Sequence, residues 1–274
     1  MPYPTRSVER TAWRSGGSAG AGQRAIPEET AVAFTYNGSS YAVMMATPQD
    51  LEDFALGFSL TEGIIQSPSE IESLEIIEEP IGIEFRMRLR EPHATPFRTR
   101  RRYLAGPTGC GLCGIESLSE AMRTPAVVAD GVSIAPEEIM AALDALHGLQ
   151  TINQVTRAVH GAAFYGKGEG ILAVREDVGR HNALDKLAGA LARKSVDTTR
   201  GAGILTSRLS VELVQKAAAI GIPVLVTVSA PTALAVRIAE TSGITLVAVA
   251  RNDGFEIFTH KQRIKEEQGA HVFT

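Results

Sequence analysis

The stretch Gly203–Ala250, GILTSRLSVELVQKAAAIGIPVLVTVSAPTALAVRIAETSGITLVAVA, decides the fold class. Three apolar runs within it, Gly203 to Thr206, Pro223 to Val228 and Ile244 to Ala250, are rich in Ile, Leu and Val and too short to be helices. Between them, Ser210 to Ile220 and Thr232 to Thr241 carry apolar residues at helical spacing, and Gly221 and Gly243 stand where C-caps belong. Strands joined by helices need crossover connections, which are right-handed, so a largely parallel sheet is expected. The fold class is α/β.

The alternation continues upstream. Pro136 to Leu149 reads as a helix, Ala158 to Tyr165 and Ile171 to Val174 as strands around a glycine-rich turn, and Asn182 to Lys194 as a further helix. Downstream, Phe255 to Thr259 is expected to add one antiparallel strand. The N-terminal half has a different texture. Thr30 to Tyr36 and Ser40 to Ala46 are strand-like runs joined through Asn37-Gly38, a hairpin signal because both residues tolerate positive φ. Thr47 reads as the N-cap of a helix with Pro48 at its first position, running to Glu62 and ending at Gly63. From Ile81 to Leu89, apolar Ile81, Ile83, Phe85, Met87 and Leu89 alternate with Gly82, Glu84, Arg86 and Arg88, the period of a half-buried strand.

The resulting expectation is a disordered tail over 1–24, a smaller α+β lobe over 25–130 and a C-terminal α/β lobe over 131–274. A mobile loop at about 91–114 has no hydrophobic period and carries Arg98, Arg100, Arg101 and Arg102, and Ile115 to Met122 reads as a short helix after it.

Composition narrows the function classes. A formal net charge of −4 argues against general nucleic-acid binding. No apolar run reaches the roughly 20 residues of a membrane helix, and the Gly/Ser-rich start lacks the apolar core of a secretory signal. Two cysteines, Cys110 and Cys113, do not make a secreted disulfide framework. A cytoplasmic setting is expected, with the thiols reduced unless they perform chemistry.

Cys110 and Cys113 lie in GCGLCG, flanked by Gly109, Gly111 and Gly114. Sulfur carriage needs a thiolate that attacks a donor persulfide and releases the sulfur again. A following helix N-terminus and nearby arginines would favour that thiolate. On spacing alone, a dithiol redox pair and half a zinc site remain equally open.

A second constellation is Arg175-Glu176-Asp177-Val178-Gly179-Arg180-His181-Asn182, between a strand end and a helix start, where α/β sheets bind ligands. Arg175 and Arg180 suit phosphates, Asp177 a base or ribose, and Gly179 a tight turn; a salt-bridged loop without a ligand is the plain alternative. Thr206-Ser207-Arg208 and Ser229-Ala230-Pro231-Thr232 also open helices after strands, as anion sites do, although N-capping alone explains Ser229 or Thr232. Arg251-Asn252-Asp253-Gly254 is a turn into the last strand or a further wall of the same pocket.

The segments CGLCG, REDVGRHNALDK (175–186) and KAAAIGIPVLVTVSAPTALA (216–235) resemble the formate dehydrogenase accessory sulfurtransferase family, FdhD, and the likeness runs from about Glu28 to Arg263. That resemblance implies a cytidine-deaminase-like fold and a persulfide sulfur taken from a cysteine desulfurase. The sulfur would pass to the Mo-bis(molybdopterin guanine dinucleotide) cofactor (Mo-bisMGD) used by formate dehydrogenase. It assigns the persulfide to Cys110, with Cys113 the motif's second cysteine. It places cofactor binding at Val249, Ala250, Arg251, Asn252, Asp253 and Gly254, with His181 and the loops above as neighbours, and it implies a homodimer. No resident metal is expected. Gly109 and Ser207 depart from the family pattern, which has Ser and Gly there. A cofactor-binding chaperone without covalent sulfur chemistry is the rival reading, and a zinc deaminase has only fold analogy behind it.

Overall fold

The computed structural model describes residues 2–17, 19–90, 125–251 and 253–265. The cysteine loop, the Ile115 to Met122 helix and Asn252 lie outside them. Asn37 and Gly38, at φ 49° and 77°, turn β3 (Thr30–Tyr36) back onto β4 (Ser39–Ala46) as the dipeptide required. With β5 (Ile71–Glu79) and β6 (Gly82–Leu89) they form a four-stranded sheet in the order β4-β3-β6-β5. Ile83, Phe85, Met87 and Leu89 turn inward along β6 as their spacing predicts, while Ile81 sits exposed in the turn before it.

Helix α1 (Leu51–Thr61) covers this sheet. Phe54 and Phe58 pack on Phe34, the latter at 4.1 Å between ring centroids, and Phe85 meets Phe34 edge-on. The helix begins three residues later than expected. Thr47 is not its cap but is fully buried, holding the C-terminal lobe through Val178 N–H, which donates to its Oγ1 at 3.1 Å. Asp50, at φ 55°, occupies the N-cap position without a side-chain capping bond.

The C-terminal lobe is a six-stranded sheet in the order β12-β11-β10-β9-β7-β8. It comprises β7 (His160–Gly166), β8 (Gly170–Asp177), β9 (Gly201–Leu205), β10 (Val224–Thr227), β11 (Thr245–Arg251) and β12 (Gly254–Ile257). The α/β class holds. Within this sheet, parallel pairing is confined to β9, β10 and β11, which are joined by crossover helices; β7–β8 is a hairpin antiparallel to β9, and β12 returns antiparallel to β11. Helices α4 (Arg180–Arg193), α5 (Val211–Ala219) and α6 (Ala233–Ser242) bury one face. The other face packs against α2 (Pro136–Leu149). A short α3 (Thr151–Thr156) follows it, its N-terminal N–H groups at Ile152 and Asn153 capped by Glu176.

Residues 125–130, expected in the first lobe, belong to the second. Val128 lies in its core and donates its N–H to Ser242 O. The N-terminal tail is also ordered where disorder was expected. β1 (Thr5–Trp13) and β2 (Ala19–Pro27) form an antiparallel ribbon, turned at Gly17, φ 82°. Its backbone ladder satisfies the chain without an apolar core, so composition alone misjudged it.

The lobes join along α1 and α4. A Cβ on Gly57 would stand 1.7 Å from Asp185 O, and one on Gly189 1.9 Å from Asp53 O. Only glycine at both positions lets the helices cross at this distance. Two buried lysines complete the seam. Lys186 Nζ reaches Asp177 Oδ2 at 2.7 Å and Thr47 O at 2.8 Å. Lys216 Nζ reaches Asp185 at 2.9 Å and Glu62 at 2.8 Å. Burial pushes the Asp185 carboxyl up, with Lys216 and Thr61 pulling it part of the way back. Burial works against the Lys216 charge, but Asp185, Glu62 and Glu212 outweigh it and hold the ammonium above the ordinary lysine value.

Candidate functional site

One edge of the six-stranded sheet collects most of the expected site. His160 at the start of β7 lies opposite Asp177 at the end of β8. Thr206, just past β9, exchanges hydrogen bonds with Gly161, its N–H donating to Gly161 O at 3.1 Å. Leu209 and Pro231 bridge the loops after β9 and β10. Val249 N–H donates to Ser229 O, tying the end of β11 to the loop after β10. The edge therefore runs from Val178–His181 through His160, Thr206–Arg208 and Val228–Thr232 to Val249–Gly254. The N-termini of α4, α5 and α6 all open onto it, and such helix ends favour anions.

The individual residues divide sharply. Arg175 belongs to β8, and its guanidinium turns towards α1, reaching Asp53 Oδ2 through Nη2 at 2.6 Å and Nε at 2.8 Å. Arg193 holds the other oxygen of Asp53 at 3.0 Å. Two guanidinium N–H groups donating to one oxygen of a buried carboxylate fix Arg175 in the lobe seam, which replaces the expected phosphate contact. Asp177 is fully buried. Its Oδ2 accepts from Thr47 N–H and Lys186, and its Oδ1 from Gly179 N–H and Asn182 Nδ2, at 2.7–3.0 Å. With both oxygens engaged, it supports the backbone turn and does not wait for a base or ribose. Gly179 is needed there for space, since a Cβ would stand 2.8 Å from Asn182 Nδ2.

Arg180 and His181 open α4 on the edge. His181 Nε2 stands 3.3 Å from Glu212 Oε2 and 3.4 Å from Ser210 Oγ at the start of α5, so the two helix ends are linked there. Ser207 is buried and its carbonyl accepts from Thr227 Oγ1, whereas Arg208 is exposed. Ser229 is half-buried. Thr232 is the N-cap of α6, its Oγ1 accepting from Ala235 N–H at 3.2 Å, as the simpler reading held.

Val249 has φ 53°, an uncommon backbone conformation for a β-branched residue, and the β11–β12 register shifts between Ala248 and Arg251. The kink sits within the expected cofactor segment. Ala250 is buried, Arg251 and Asp253 are exposed, and Gly254 is half-buried with φ 146°. Strained backbone of this kind concentrates at ligand sites.

The sequence reading missed His160. Its imidazole is held below its ordinary value by burial and by Arg180, against the opposing pull of Asp177. A polar side chain opening an otherwise apolar strand, next to Gly161, was the available signal. Cys110, Cys113 and Asn252 lie outside the described residues.

The FdhD/NarQ family model matches residues 27–265. A protein of Agrobacterium fabrum named sulfur carrier protein FdhD is 55% identical over 260 residues, which is 94% of this chain and 96% of the relative. A Brucella abortus protein of the same name is 49% identical over 96% of this chain and 97% of its own. A solved structure from Desulfotalea psychrophila, described as a formate dehydrogenase accessory protein, superposes with a TM-score of 0.75. It is 27% identical and covers 95% of this chain and 99% of its own. Likeness over nearly the whole length, across both lobes and the seam between them, makes this chain a member of the FdhD/NarQ family.

Proposed function

We propose that this protein carries sulfur as a persulfide on Cys110 and delivers it to Mo-bisMGD for use by a formate dehydrogenase. One observation carries the reading. The family's members are named sulfur carriers, and this chain has two cysteines, both in GCGLCG. Covalent sulfur must ride on one of them.

The Cys110 thiolate attacks the outer sulfur of a persulfide on a cysteine desulfurase. The donor S–S bond breaks, a new one forms on Cys110, and the donor leaves as a thiolate. For release, the Cys113 thiolate attacks the inner sulfur of Cys110, freeing hydrosulfide and leaving a Cys110–Cys113 disulfide that a cellular thiol reductant reopens.

The cofactor is the substrate of this step. Its guanine dinucleotide phosphates need the helix N-termini and guanidinium groups that the sheet edge gathers, with Arg208 and Arg251 exposed there and Arg180 opening α4. No helix among the described residues is long and apolar enough to cross a membrane.

Incubation with a cysteine desulfurase and cysteine is expected to add the mass of one sulfur atom to the Cys110 peptide. Cys110→Ala should abolish that gain and dehydrogenase activation while guanine nucleotide still binds. Activation of formate dehydrogenase by the double variant Cys110→Ala/Cys113→Ala would sink the covalent reading in favour of a binding chaperone.

A further inference from the structure

The β1–β2 ribbon stands outside both cores, and its pleat sorts its side chains. Along β1, Arg6, Val8, Arg10 and Ala12 share one face, and the register sets them against Ile26, Arg24, Gly22 and Gly20. Arg14 follows directly after β1. The ribbon's one strand carboxylate, Glu9, is on the opposite face, across from Gln23. Four arginines against one glutamate make this segment cationic on a chain whose net charge is −4; Arg6 lies 4.0 Å from Glu28, just past β2, and Arg10, Arg14 and Arg24 line the groove. The glycines leave the floor of that face bare, and the Arg10 guanidinium lies over Gly22, 3.6 Å from where a Cβ would stand. A groove of about 400 Å³ at the turn end of the ribbon draws its lining from both faces, Arg10, Ala12, Arg14 and Arg24 with Thr11, Trp13 and Gln23. Trp13 is 73% exposed. Arg24 also anchors the ribbon, donating to Thr156 O at the end of α3.

We propose that this ribbon docks an extended, acidic segment of a partner protein, which adds a strand along β1 and places its carboxylates on the arginine face. A two-stranded ribbon is marginally stable in water by itself, and a third strand completes it. Among the described residues β1 pairs with β2 alone, so its other edge presents backbone donors and acceptors that an extended peptide can satisfy. Alternate carboxylates would then meet guanidinium groups in charge-assisted pairs. A nucleic acid gains nothing from that edge, and its long polyanion would run onto an acidic protein beyond the ribbon. The choice of a protein partner rests on the sulfur-carrier role, which requires contact with both a donor and a recipient protein.

Trp13 is the sole tryptophan, so its emission reports the ribbon directly in the full-length protein. Titration with an alternating Glu/Thr peptide long enough to span β1 should shift that emission saturably at low salt. The Arg10→Gln/Arg14→Gln variant should bind roughly tenfold more weakly or worse, with an unchanged thermal melt because both residues lie outside the cores. A Lys/Thr peptide should give no shift. Failure of the Glu/Thr peptide to bind, or equal binding by the variant, overturns the proposal. Tighter binding of a single-stranded oligonucleotide, or an emission shift caused by protein concentration alone, also overturns it and assigns the face to nucleic acid or to a second copy. Cys110→Ala should leave this titration unchanged, so docking and sulfur carriage can fail separately.

Discussion

Arg175 and Arg251 are both arginines at the carboxyl end of a sheet strand, and the fold treats them oppositely. Arg175 is held by Asp53 in the seam between the lobes, whereas Arg251 is exposed. Their strands differ in what lies beside them. β8 is the sheet's outer strand on the side where α1 and the four-stranded sheet pack, so polar groups at its end are consumed in holding the lobes together. Among the described residues, the sheet beyond β11 has only the short β12. The same division runs through REDVGRHNALDK: Arg175, Asp177, Asn182 and Lys186 face the seam, while Arg180 and His181 open a helix at the sheet edge. A long family-specific run can therefore owe many of its polar residues to stability.

The contrast can be broken from the seam side first. Lys216→Met should leave Asp185 and Glu62 buried without their cation and cost about 3–5 kcal/mol, read as a large drop in the urea midpoint. Gly57→Ala gains helix propensity but drives a methyl into the Asp185 carbonyl, so a net loss of roughly 2–3 kcal/mol is expected. Unchanged stability in both variants would remove the seam as the element that joins the lobes.

Arg175→Ala should cost about 2 kcal/mol, since Asp53 Oδ1 keeps Arg193 but Oδ2 loses both of its guanidinium donors. Arg251→Ala should leave the melting temperature alone and weaken guanine nucleotide binding roughly tenfold. The reverse pattern, a stability loss at Arg251 with binding lost only at Arg175, would invert the division drawn here.

The smallest effect concerns pH. Because the folded His160 imidazole is held below its ordinary value of 6.5, the unfolded chain takes up the proton first as pH falls. Its contribution to stability is therefore present above about that value and is lost on acidification. His160→Gln should flatten the decline in melting temperature below neutrality; an identical slope would show that other groups set it.

Much of this architecture was legible from local pattern. The crossover elements of Gly203–Ala250, the Asn37-Gly38 hairpin and the alternation into β6 follow from spacings of two and of three to four residues, which depend on neighbours alone. The convergence of the edge loops was legible as well, because strand ends in an α/β sheet share one side. The ribbon was not, since a strand pair held by its backbone ladder leaves little trace in apolar content. Nor was the fate of Thr47, which has the chemistry of a helix cap and is spent on a contact more than a hundred residues away.

The sequence by itself determined the α/β class, the order of the crossover elements in the C-terminal half and the placement of both cysteines in one short motif. The tertiary structure decided which polar residues remain open to a ligand. Arg175 and Asp177 look no different in sequence from Arg180 and His181. What separates them is which side they face: Asp53 and Lys186 hold Arg175 and Asp177 in the seam, while Arg180 and His181 begin a helix at the sheet edge, where His181 meets Glu212. That seam depends on two helices crossing closely at Gly57 and Gly189.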